Sequence, residues 1–381
     1  MKAILISALV TLFCISTAYP QKSYKINFQM VSPSLADTAT VYITGNMPQL
    51  GNWNPAKVAM KYIGNHTWTK TIKLPHPYNY LEYKYTLGSW DREATDNKAQ
   101  PLQNFGLKVT QDTTVRNEIQ HWLKKESHTF KGGVTGKTEI HKAVSGGNLL
   151  KRDLIVWLPP GYESGTKQYP VLYMHDGQNI FDPSTSSFGT DWQIDETADS
   201  LIRIGAIEPV IIVGINNTPD RSEEYTPGKK GSAYMDFVVN TVKPFIDQTY
   251  RTKKEREHTF TGGSSAGGIM SFMLAWEYPA IFSKAICMSP AFKIQHIDFV
   301  KDVRSYQGEK KRLYFYIDNG GLELEERLQP GIDEMLIALE EKGYVEGKDF
   351  IWIKDATAKH NEAAWAKRMP VALKAILPPK N

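Results

Sequence analysis

His258-Thr259-Phe260-Thr261-Gly262-Gly263-Ser264-Ser265-Ala266-Gly267-Gly268 runs directly into the apolar stretch 269–278. Its centre, Gly263-Ser264-Ser265-Ala266-Gly267, has the spacing G-x-S-x-G. A serine held between a strand and a helix sits on a sharp, strained turn, and small flanking residues let the backbone pass closely. The spacing by itself is weak, because glycine and serine are common in ordinary turns. Here the apolar residues before it and the helical run after it supply the context the turn requires. Ser265 is therefore the candidate nucleophile; Ser264 is its neighbour but is not central between the glycines.

Outward from this turn, apolar runs at 154–158, 171–174, 210–215, 284–288, 313–317 and 350–353 read as buried strands. Helical patterns lie between several of them. Phe237, Val238, Val242, Phe245 and Ile246 share one helical face, and so do Met335, Leu336 and Leu339 in a segment ending at Gly343. Strands alternating with helices predict a mostly parallel sheet covered on both faces, an α/β fold over residues 139–378.

Residues 24–118 follow another pattern. Short alternating or aromatic-rich runs are separated by turn residues such as Gly45-Asn46, Gly51-Asn52, Asn54-Pro55 and Gly64-Asn65. These predict an all-β, immunoglobulin-like sandwich. The polar segment 119–138, with Lys124-Lys125-Glu126-Ser127 and Gly132-Gly133, is the expected linker.

The chain begins with a lysine, a short apolar run and the small residues Ser16, Thr17 and Ala18, the pattern of a signal peptide over 1–20. The protein is expected to be exported, with no membrane span. Bulky Phe13 before Cys14 argues against a lipoprotein. Cleavage would leave Cys287 as the remaining cysteine, in an apolar run that marks it as a core residue. With 381 residues and a net charge of +4 spread along the chain, nothing points to nucleic acid as a partner.

A serine nucleophile needs a base and an orienting acid. Only His296 and His360 lie downstream of Ser265. His360 follows the last expected strand, where a Ser–acid–His order delivers its base, and is preferred. The acid should follow the strand at 313–317. Glu325 is favoured there, then Glu323, then Asp318; the remaining two would be ordinary charges near a helix start. The oxyanion hole needs two N–H groups, for which the amides of Ala266 and Gln178 are the candidates. A metal site at His175-Asp176 lacks a third ligand at suitable spacing, and neither metal nor cofactor is expected.

Tyr169-Pro170-Val171-Leu172-Tyr173-Met174-His175-Asp176-Gly177-Gln178-Asn179, Lys243-Pro244-Phe245-Ile246-Asp247, 262–268 and 360–365 together resemble the esterase D superfamily, including carbohydrate esterase family one. The resemblance implies an α/β-hydrolase fold and acyl-ester chemistry, and leaves the substrate open. Val41-Tyr42-Ile43-Thr44-Gly45-Asn46, Leu50-Gly51-Asn52-Trp53 and Leu81-Glu82-Tyr83-Lys84-Tyr85 with Trp90 resemble starch- and glycogen-binding modules. That implies sugar stacking by Trp53 and Trp90, whereas Trp68 is a core candidate. Trp192 and Trp365 are candidates for an acyl pocket, though either could be core. The combination predicts a feruloyl or acetyl esterase of plant polysaccharide, with xylan as the expected partner. A catecholate-trilactone (siderophore) esterase is the alternative, and an inactive polysaccharide-binding protein the alternative of another class.

Overall fold

Ile211-Ile212-Val213-Gly214-Ile215 is buried at every position, and a strand with no wet face needs cover on both sides. The computed structural model describes residues 23–75, 80–97, 101–123, 133–187 and 189–379. The signal-peptide expectation with Cys14, and the middle of the expected linker, lie outside the described residues.

The sheet of the C-terminal domain contains β1 (Lys137–Val144), β2 (Arg152–Leu158), β3 (Val171–His175), β4 (Ile211–Ile215), β5 (Thr259–Ser264), β6 (Lys284–Met288), β7 (Tyr314–Gly320) and β8 (Phe350–Asp355). Their order is β1-β2-β4-β3-β5-β6-β7-β8. The strands from β4 to β8 in that order are parallel, while β1 and β2 join antiparallel at one edge. Strand β1 is absent from the sequence reading because its residues are at most partly buried, so it shows no apolar run. It also starts inside the segment expected as linker.

Alternation along the strands divides the core. Val156, Tyr173 and Val213 face one layer with helices α2 (Ala266–Glu277) and α3 (Leu324–Glu341). Trp157, Leu172 and Ile212 face the other, with α1 (Ile194–Arg203) and α4 (Glu362–Ile376). Period-two side-chain direction makes this two-sided core a consequence of the strand sequences. Cys287 lies buried in β6, its thiol pushed up by burial and then by Asp318, which fits a core residue and not a nucleophile. No helix among the described residues is long and apolar enough to cross a membrane.

The N-terminal domain is β-rich. One sheet orders Lys61–Gly64, Thr67–Pro75, Ser23–Val31 and Thr113–Glu118; a second orders Tyr42–Gly45, Tyr80–Thr86 and Phe105–Lys108. Ile26, Phe28 and Met30 of the first share a core with Ile43, Tyr83 and Tyr85 of the second. Trp68 is buried there, its indole donating to the Ala39 carbonyl at 3.0 Å. The domain extends into the expected linker: Ile119 is buried, and His121–Trp122 pairs with Ala94–Thr95.

The two domains touch through charged groups. Buried Glu82 pairs with Arg327 of α3 and accepts from Gln295 at 3.1 Å. Lys57 meets Glu223 at 2.7 Å. A carboxylate as buried as Glu82 is tolerable only because these partners replace its water.

Candidate active site

Strand β5 ends at Ser264 and α2 begins at Ala266, so one residue must make the whole change of direction. Ser265 does so at φ 56° and ψ −120°, a region that costs a non-glycine residue about 1–3 kcal/mol. Bonds to the segment after β6 help hold it: its N–H donates to the Met288 carbonyl at 2.9 Å, and its carbonyl accepts from Ala291 at 3.1 Å as well as from α2. A side chain at Gly263 would stand 2.7 Å from the Gly267 carbonyl carbon, so the glycine lets α2 close onto β5.

His360 lies between β8 and α4. Asn361 caps α4 by accepting from the Ala364 N–H at 3.0 Å, which sets where the loop ends. The imidazole packs edge-on against Trp365, with ring centres 5.0 Å apart. Its Nδ1 stands 3.4 Å from Glu325 Oε1.

The acid segment delivers its three carboxylates to different places. Glu325, in the first turn of α3, is fully buried beside His360 and accepts from Ser289 Oγ at 2.7 Å. Burial pushes its carboxyl up, but His360, Ser289 and Arg368 together outweigh that and hold it below the ordinary value. Asp318 is saturated by Arg368 Nε at 2.8 Å, Tyr316 OH at 2.8 Å and the Ser289 N–H at 3.1 Å. Glu323 points outward to Lys359 at 2.7 Å, with both side chains about half exposed. A Cβ at Gly320 would fall 2.5 Å from the Ala358 carbonyl and 2.7 Å from Glu325 Cγ. This glycine is what lets the acid and histidine loops meet.

Ser289 was not apparent from the sequence, where Met288-Ser289-Pro290 is unremarkable. Its hydroxyl joins Glu325 to Trp365 Nε1 and Arg368 Nη2, both at 3.1 Å. Arg221 was also missed. It holds buried Asp176 through Nε at 2.6 Å and Nη2 at 2.7 Å, while Asn217 adds a third bond at 2.6 Å. His175 is buried with Nδ1 2.9 Å from Tyr234 OH, and burial lowers it to about 3, so it is neutral. His175 is thereby engaged by Tyr234, and Asp176 by Arg221 and Asn217.

Among the described residues, Asp191, Asp195 and Glu196 bring carboxylate oxygens within 4.8 Å of one another. Burial, followed by Glu196, pushes Asp195 up to about 8, which favours a retained proton at that position.

Ser265 and His360 line a cavity of about 550 Å³, together with Trp192, Trp365, Arg221 and Glu362. Trp53 and Trp90 of the N-terminal domain also line it. Trp192 and Trp365 are themselves almost wholly buried, with ring centres 5.3 Å apart, so they serve both core and pocket. Ser265 and Ala266 also border a second cavity of about 230 Å³, lined by Trp53, Asn46, Asn52, Gln295 and His296. His296 is thus on that side, on the hairpin following β6. Gln178 occupies the turn after β3; its side-chain oxygen accepts from Asn217 at 3.1 Å. Its neighbours Asp176 and Asn179 line the larger cavity, and Gln178 is not among the lining residues.

Comparison with known proteins places both domains. Residues 23–118 match the family described as "Starch binding domain". An uncharacterised protein, YbbA of Bacillus subtilis (strain 168), is 22% identical over 244 residues, which is 60% of this chain and 91% of that protein. A solved ferulic acid esterase superposes with a TM-score of 0.52 at 20% identity, covering 64% of this chain and 98% of that one. A ferric enterobactin esterase from Salmonella typhimurium superposes with a TM-score of 0.52 at 12% identity, covering 93% of each chain. At these identities the structural likeness is one of fold. Residues 150–380, well over half of the chain, match the family described as "Putative esterase", and the chain belongs to that esterase family.

Proposed function

We propose that this protein is an exported serine carboxylic-ester hydrolase that removes feruloyl groups from an acylated plant polysaccharide such as xylan. The observation that carries the proposal is one cavity lined both by Ser265 and His360 and by Trp53 and Trp90 of the starch-binding-type domain. Flat aromatic faces suit both a pyranose and a cinnamoyl ring. A space of about 550 Å³ with four tryptophans in its wall fits an aromatic acyl group better than acetyl.

In this mechanism His360 takes the Ser265 proton as Oγ attacks the ester carbonyl. Glu325 holds the imidazole through Nδ1 and stabilises the imidazolium. The N–H of Ala266 receives the oxyanion, with the Gln178 N–H as second donor, on the turn whose Asp176 and Asn179 line the cavity. Imidazolium then protonates the leaving sugar alcohol, and a water deprotonated by His360 attacks the acyl-enzyme, releasing the acid and restoring Ser265. A catecholate trilactone is the competing substrate. Both cations in the cavity wall are already engaged, Lys84 by Glu93 at 2.7 Å and Arg221 by Asp176 at 2.6 Å. That leaves little attraction for an anionic ligand.

The test compares wild type with Ser265→Ala on methyl ferulate, acetylated xylan and a catecholate trilactone, following acid release by mass spectrometry. Ferulate released by the wild type alone supports the assignment. Turnover of the trilactone alone moves it to siderophore chemistry. No turnover of any ester favours a binding protein.

A further inference from the structure

Glu362 is the first residue of α4, two positions after His360, and it is only 6% exposed while still lining the catalytic cavity. Among the described residues no other side chain hydrogen-bonds its carboxyl, which accepts only from the N–H of its own residue. The other charged groups bearing on it are Asp176, from the turn after β3, and Arg221 across the cavity. Those two are committed to each other through two hydrogen bonds. A helix start favours a negative charge, yet burial prevails and, with Asp176 adding to it against Arg221, pushes the carboxyl up to about 7. A largely buried carboxyl whose bonding within the protein is limited to its own N–H has remaining acceptor capacity that a group entering the cavity can fill.

Resting on the esterase assignment above, we propose that Glu362 is a specificity-determining residue that accepts a hydrogen bond from a hydroxyl group of the bound ester. The hydroxyl could belong to the acyl group or to the sugar alcohol; the shared chemistry is a neutral O–H donor. A charge-assisted bond is stronger than a neutral one. Preference for a hydroxyl-bearing ester should therefore rise as Glu362 ionises.

The experiment measures kcat/KM for two pairs of esters from about pH 5.5 to about pH 8. Methyl ferulate against methyl 3,4-dimethoxycinnamate probes an acyl hydroxyl; feruloyl arabinose against methyl ferulate probes a sugar hydroxyl. The ratio within a pair cancels the titration of groups that affect both esters alike, including His360. Wild type should favour the hydroxyl-bearing member of at least one pair by about tenfold, with the ratio rising through about pH 7. Glu362→Ala should bring the ratio close to one. Glu362→Gln, which keeps a neutral acceptor, should give an intermediate ratio without the pH step. A purely helix-stabilising carboxyl would leave every ratio unchanged. A wild-type ratio that is flat or falling with pH overturns the proposal, as does a Glu362→Ala ratio equal to wild type. If wild type hydrolyses none of these esters, the esterase assignment falls as well; if it hydrolyses them through Ser265 with ratios insensitive to Glu362, only the present proposal falls.

Discussion

Trp53 of the N-terminal domain and Ser265 of the esterase domain border the same two cavities. The aromatic that resembles a sugar platform therefore lines the cavities bordered by the proposed nucleophile. Trp53→Ala and Trp90→Ala should each lower kcat/KM for a feruloylated oligosaccharide by roughly tenfold, from lost stacking and burial. Methyl ferulate should be affected less. Trp68→Ala should act differently, lowering stability by about 3–5 kcal/mol through a core cavity. Urea unfolding of the three variants separates the two effects.

The three carboxylates of the acid segment should differ sharply. Glu325→Gln should reduce kcat by about 10²–10⁴-fold, because the imidazole loses its orienting anion. Glu323→Gln should leave kcat near wild type, since its partner Lys359 is exposed with it. Asp318→Ala leaves buried Arg368 without its carboxylate and should destabilise by about 3–5 kcal/mol. Steady-state kinetics beside thermal melting distinguish a catalytic loss from a folding one.

Glu325 should also make stability pH-dependent. Its folded value lies below the ordinary 4.5, so its contribution is fully present above that value. It is lost as pH falls through the depressed folded value. The difference in melting temperature between wild type and Glu325→Gln should therefore be constant near neutrality and shrink at acid pH.

Glu362 predicts the opposite sign. Its value rises from 4.5 in the unfolded chain to about 7 in the fold, so folding is penalised progressively as pH rises through that interval. At pH 8 the penalty is roughly 3 kcal/mol. Glu362→Gln should melt higher than wild type at pH 8 and no higher at pH 4, as read by calorimetry at both values.

The elbow was legible because its constraints are local: Gly263 and Gly267 face each other across one strand–helix turn, four residues apart. His360 was legible from chain order, being the histidine that follows the last apolar strand. Strand β1 was not, because a partly exposed edge strand carries no apolar run. Glu325 was named first among three candidates within eight residues, but position along the chain could not separate them. Their sorting depends on residues distant in sequence: Arg368 takes Asp318, Lys359 takes Glu323, and Gly320 against Ala358 brings Glu325 to His360. Ser289, Arg221 and Glu362 acquire their surroundings in the same way. Periodicity and spacing thus determined the buried strands, the elbow and the two-domain plan, because those follow from interactions over a few residues. Which carboxylate meets the histidine, and that Trp53 shares the cavities bordered by the serine, were decided only by packing between segments far apart in the chain, where burial makes each charge choose a partner.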